Sequence, residues 1–154
     1  MKVKEEKEQV LIRLLFLVYA AFMLWLLFGQ RFKGGQLDIT LDGSGENRNF
    51  VPFETVRLYW RLLQSGASDA LLRHAVINLV GNVVMFVPSG WFLPCIWRKF
   101  RGFFRTVLFT AGVICLVETL QYVTGLGSCD VDDLILNTAG VMLGYGVWRV
   151  SHKK

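Results

Sequence analysis

The chain has 154 residues, of which 53% are hydrophobic and 14% aromatic, and it carries a formal net charge of +5. Soluble domains reach an apolar share near one half only with glycine counted, so this composition excludes an ordinary water-soluble domain and implies one membrane domain. The positive charge does not point to nucleic acid, because Lys and Arg flank the apolar blocks instead of forming one basic face.

The first apolar block covers residues 10–28, VLIRLLFLVYAAFMLWLLF. Its length approaches the roughly 20 residues that cross a hydrocarbon core. Lys2, Lys4 and Lys7 precede it, as in a signal peptide, but the block is long for such a segment and no small-x-small cleavage site follows. It reads as an uncleaved span in which Arg13 snorkels. Residues 29–73 form a loop with structure of its own. Leu37, Ile39 and Leu41 alternate with Asp38, Thr40 and Asp42 before Gly43-Ser44-Gly45, which predicts a short β segment and a turn. After Pro52, ETVRLYWRLLQ sets Glu54, Arg57, Arg61 and Gln64 on one side and leaves Val56, Tyr59, Trp60 and Leu63 mostly on the other. This is the pattern of a helix lying in a membrane interface. Ser68 or Asp69 is placed to cap the next helix.

Three further spans are expected at residues 74–93, 103–124 and 131–150. Pro88 in the second must leave the Val84 carbonyl without its usual donor and should kink the helix. The expected fold is therefore an all-α membrane protein: a four-helix transmembrane bundle with an extracytoplasmic loop that carries a short β segment and an interfacial amphipathic helix, in a single domain over residues 1–154.

Short loops set the orientation. Arg98, Lys99, Arg101 and Arg105 follow the second span, and Arg149, Lys153 and Lys154 end the chain, so both regions are expected in the cytoplasm. Residues 125–130 contain no Lys or Arg and face outward. An even number of spans then places the N-terminus inside as well. The long first loop lies outside despite Arg31, Lys33, Arg48, Arg57, Arg61 and Arg73. Cys95, Cys115 and Cys129 lie at different depths and in odd number, which implies no disulfide framework.

Helical spacing sorts the polar residues within the apolar blocks. Asn78 and Asn82 share one face of the second span, and Glu118 and Gln121 one face of the third. Asp130, Asp133, Asn137, Gly140 and Gly144 follow steps of three and four on the fourth. At about 1.5 Å per residue, Glu118 and Asn137 lie about 9 Å below the outer ends of their spans, and Asn82 about 12 Å. Polar groups at these depths must face a bundle interior or a wet cavity, so the three stripes are expected to converge on one outward-facing pocket. Below it, Gly140-x-x-x-Gly144 presents a small-residue face to another helix. Simpler roles compete for some of these residues. Asp130 with Asp133 resembles a helix N-cap, Asp132 suits the helix dipole, and Asn78 or Gln121 can serve as interhelical glue. His74, beside Arg73, fits an interfacial residue better than a general base.

NLVGNVVMFVPSGWFLP (residues 78–94), Glu118-x-x-Gln121 and DVDDLILNTAGVMLG (residues 130–144), together with NFVPFETVRLY (residues 49–59), closely resemble the VanZ family of bacterial membrane proteins. The resemblance covers most of residues 47–146. It implies a small multi-pass protein of the bacterial cytoplasmic membrane, in a family whose founding member is associated with teicoplanin resistance. It does not imply an agreed reaction. Many members carry an Arg just before the Asp-x-Asp-Asp run, where this chain has Gly127-Ser128-Cys129; if that Arg binds an anion, this chain uses another cation, with Arg57, Arg61 and Arg73 as the candidates, or none.

Two functions follow as expectations. The first is an envelope protein that contributes to glycopeptide resistance, with Asn78, Asn82, Glu118, Gln121, Asp130, Asp132, Asp133 and Asn137 lining the pocket and membrane lipids, a glycopeptide antibiotic or a lipid-linked envelope precursor as partners. The alternative is a membrane enzyme acting on a lipid-linked phosphate, with Glu118 and Asp133 as the residues for Mg²⁺ if a metal is used. Against that alternative, the sequence has no Ser/His/Asp arrangement, no Cys/His metal spacing and no phosphate-cradling Gly loop. No cofactor is otherwise expected.

Overall fold

A computed structural model of the chain describes residues 2–29, 48–66, 68–125 and 129–152. Helix α1 (Lys2–Leu24) runs into a π-helical turn at Trp25–Gly29. A two-residue strand β1 (Arg48–Asn49) precedes α2 (Glu54–Gln64) and the long α3 (Asp69–Ile96). A 3₁₀ turn at Arg98–Arg101 leads to α4 (Phe103–Val123), a second two-residue strand β2 (Cys129–Asp130) and finally α5 (Val131–Ser151). The two strands pair in parallel, Arg48 with Cys129 and Asn49 with Asp130. The β segment expected at residues 37–41 lies outside the described residues, as do Lys153 and Lys154.

Three segments are long and apolar enough to cross a membrane: Glu6–Gly29, Asp69–Ile96 and Phe103–Val123. Helix α5 has 21 residues, the same length as α4, but opens with two acids and carries Arg149 in its last turn. Helix α3 exceeds the expected span at both ends, since its first turn starts in the polar stretch behind Ser68 and its last turn passes Pro94. Hydropathy marks only the part of a helix that suits lipid, and backbone hydrogen bonding continues beyond it. Pro88 and Pro94 both sit inside α3 without ending it. One turn from Pro88, the Tyr19 hydroxyl donates 2.8 Å to the Met85 carbonyl and lies 2.7 Å from Ser89 Oγ, which brings α1 against this part of α3.

The closest packing joins α3 and α5, and its cause is the absence of side chains. A Cβ on Gly144 would fall 2.8 Å from the Val87 carbonyl carbon, one on Gly140 3.0 Å from that of Val83, and one on Gly90 2.7 Å from the Tyr145 amide. These backbones can approach this closely only with hydrogen at all three positions. The small-residue face of α5 thus meets α3, which adds Gly90 to the seam. Residue numbers rise together along both helices, so α3 and α5 run parallel, and α4 must return between their ends. Aromatic contacts place α1 antiparallel to α3, with Phe16 against Phe92 and Trp97. Met23, Phe86, Ile114 and Val141, one residue each from α1, α3, α4 and α5, form the buried apolar centre. Outside it, Val10, Leu14, Leu17, Val18 and Phe22 of α1 stay exposed, as a lipid-facing surface requires.

The basic turn lies at one end of this arrangement. There Tyr145 Oη of α5 donates 2.6 Å to the Arg101 carbonyl, and the Thr106 hydroxyl donates 2.5 Å to the Phe100 carbonyl at the start of α4. The polar residues gather at the opposite end.

Candidate functional site

At that opposite end, the first turn of α5 is held to residues 49–56 by two aspartates with different tasks. Asp130 occupies the N-cap of α5 and accepts 2.8 Å from the Asp132 amide, as expected of an Asp before a helix. The same carboxylate accepts from Thr55 Oγ1 at 2.7 Å and from Asn49 Nδ2 at 3.0 Å. Asn49 in turn accepts from the Val51 amide at 3.0 Å. Asp132, 1% exposed, points away from its own helix. Its carboxylate accepts from the backbone amides of Phe53 and, at 3.2 Å, Val56, which are orphan donors at the start of α2. Phe53, in the left-handed region at φ 65°, is the N-cap residue of α2, and its own side chain caps nothing. An acid on α5 therefore caps α2. Asp132 also lies in the first turn of α5, where its charge suits that helix's dipole as expected, so one acid serves the starts of two helices.

At the next residue of α5, Asn82 Nδ2 of α3 donates to Asp133 Oδ1. This contact joins the stripes of α3 and α5 in one polar layer, with Asn78 and Asn137 each one turn from it on their own helices. Asn137 is 3% exposed. The Oδ1 atoms of Asn78 and Asn137 are buried without a hydrogen-bond partner among the described residues, which is unusual for amide oxygens in a helix interface. Glu118 is buried on α4, and its charge reaches Cys129 of β2. Burial first, and then the charges of Glu118, Cys115 and Asp130, push the Cys129 thiol above its usual range. Gln121, also buried, donates 2.7 Å to the Leu27 carbonyl in the π-helical turn. It acts as interhelical glue between α4 and the end of α1.

Tyr59, on the inward side of α2 as its spacing predicts, completes this end of the molecule. It is buried, and its phenol is pushed upward first by burial and then by the charges of Asp133 and Asp130. Asn49, Thr55 and Tyr59 are the residues that sequence reasoning missed as contributors. The available signal was the resemblance of residues 49–59, read there as part of a family pattern and not as partners of the acids. Arg57, Arg61 and Arg73 are exposed. The side chain of His74 lies outside the described structure. All three cysteines are free. Among the described residues, no three His, Cys, Asp or Glu side chains come together as a metal ion would require.

Comparison with known proteins gives two matches. The family model described as VanZ/LLP1 matches residues 16–152. The protein is also similar to Protein VanZ of Enterococcus faecium, at 29% identity over 76 residues, which is 49% of this chain and 47% of the relative. The aligned region thus spans about half the length of that relative. No solved structure matches.

Proposed function

The chain belongs to the VanZ/LLP1 family, and from that premise we propose that it is a membrane protein of the bacterial envelope that contributes to resistance against glycopeptides such as teicoplanin. In this reading α1, α3, α4 and α5 form a four-helix transmembrane bundle in the cytoplasmic membrane, with both termini inside. Support for a fourth span comes from α5 itself, which follows α3 from the Asn82–Asp133 contact to the Tyr145–Arg101 contact at the basic end. The basic residues 98–105 fit the cytoplasmic side, and the acids at the start of α5 then face outward.

The polar layer beneath α2 is the proposed interaction site. The observation that carries this is the pairing of Asn82 with Asp133 in a layer that also buries Asn137. Polar groups held inside apolar helices are costly and persist where they serve a function. The neighbouring interfacial helix suits a ligand with both a polar head and an acyl chain, as teicoplanin has.

The test is teicoplanin susceptibility of an expressing strain carrying Glu118→Gln and Asp133→Asn, with membrane levels of the protein matched by immunoblot. Loss of protection is expected. Unchanged protection would remove the polar layer from the mechanism.

A further inference from the structure

The outward face of α2 takes no part in holding residues 49–56. Thr55 and Tyr59 turn inward, whereas Arg57, Trp60, Arg61 and Gln64 are exposed, Trp60 to 62%. Arg57 and Arg61 stand one turn apart, and both are exposed. The other charge on this face is Glu54, in the first turn. Beside that turn, Phe50, Val51 and Phe53 are exposed to 67%, 53% and 50%. The Asp132 contacts to Phe53 and Val56 fix all of this at the level where α5 begins.

We infer that this face of α2 docks on the outer leaflet, where Arg57 and Arg61 bind the phosphates of anionic lipid headgroups and Trp60, Phe50 and Phe53 rest at the boundary between headgroups and acyl chains. The inference rests on the proposed topology, in which the start of α5 lies at the outer surface. Charge complementarity selects the lipid class. Guanidinium groups take phosphate oxygens in pairs, and an exposed Trp beside them suits the interface and not bulk water. A zwitterionic headgroup offers the same phosphate but adds a cation that repels the arginines. A basic amphipathic helix gains both from burying its apolar residues in the interface and from attraction to anionic lipid.

The experiment uses the full-length protein in phosphatidylcholine nanodiscs doped with a small fraction of phosphatidylglycerol bearing a photoreactive headgroup, with crosslinks mapped by peptide mass spectrometry. Labelling of residues 50–66 should exceed that from a matching photoreactive phosphatidylcholine. It should fall about five-fold in Arg57→Gln and about 25-fold in the Arg57→Gln/Arg61→Gln double variant, the factors that correspond to about 1 kcal/mol per basic side chain at an anionic surface. Arg101→Gln, at the other end, should leave labelling of this segment unchanged. Equal labelling by the two lipids, or no loss in the double variant, overturns the inference. Complete competition by soluble glycerol phosphate would show a free-anion site and also overturn it. Topology is checked separately with Gln64→Cys in a chain whose native cysteines are replaced by serine: an impermeant maleimide should label it in intact cells. Labelling there with no arginine effect refutes lipid recognition alone, whereas absence of labelling refutes the topology beneath it.

Discussion

Replacing Asp132 with alanine should release residues 49–56 while leaving the helices assembled. The native carboxylate, 1% exposed, accepts two backbone amides that begin α2. A hydrogen bond to a buried charged acceptor contributes about 1.5 to 3 kcal/mol. Two of them exceed what one capping side chain supplies, but the exposed Phe53 recovers water at its amide and the variant no longer desolvates a carboxylate. The net loss is then about 2 to 3 kcal/mol, which raises the released population about 30- to 150-fold. Limited trypsinolysis in mild detergent reads this directly, because Arg57 and Arg61 offer cleavage sites in α2 and the cleavage rate follows the open population when opening and closing are fast. Asp132→Asn keeps one acceptor oxygen and should lose only about 1 kcal/mol. Thr55→Ala removes one bond to Asp130 and should raise cleavage about five-fold, or about 1 kcal/mol. Wild-type cleavage rates after Arg57 and Arg61 in Asp132→Ala would refute the cap between helices.

The remaining predictions concern packing and titration. Gly144→Ala forces a methyl group into the Val87 carbonyl and should cost about 3 kcal/mol or more, seen as loss of folded protein in detergent; Gly146→Ala, with nothing within 4 Å, should melt like the wild type. Burial holds the Asp130 carboxyl above its usual 3.8, against the hydrogen bonds from Thr55, the Asp132 amide and Asn49 that lower it and with the Asp132 charge that raises it. The folded state therefore binds this proton more tightly than the unfolded chain. Its contribution to stability is full below the unfolded value and is lost as pH rises through the folded one. The stability difference between wild type and Asp130→Asn should fall across that window, and a flat difference would contradict the shift. The Cys129 thiol, raised from its usual 9.0 by burial and then by nearby acids, should react with maleimide more slowly than a free thiol at neutral pH. Glu118→Gln should speed that reaction, and an unchanged rate would separate Glu118 from Cys129.

The apolar blocks were legible in the sequence because lipid selects for long uninterrupted runs, and α1, α3 and α4 follow them. The small-residue seam was legible too, since Gly140 and Gly144 one turn apart have few other uses in a helix. Its partner was not, because Gly90 has no glycine three or four residues away in α3 to mark it. The polar stripes were visible through helical periodicity, which sees only one helix at a time. Periodicity recognised Asp130 as a cap for that reason, yet could not assign Asp132 to α2, 76 residues from Val56 in the chain. Spacing placed Tyr59 on the inward side of α2, where it is buried, but grouped Trp60 with it, and Trp60 is 62% exposed beside Arg57 and Arg61.

The pairing of Asn49 with Asp130 also has a consequence for biogenesis. When residues 49–56 leave the ribosome, the carboxylates that hold them have not been synthesised, and the intervening helices must be inserted first. Completion of this end of the molecule therefore waits for α5, and a nascent chain truncated before Asp130 should expose the segment around Pro52 to proteases.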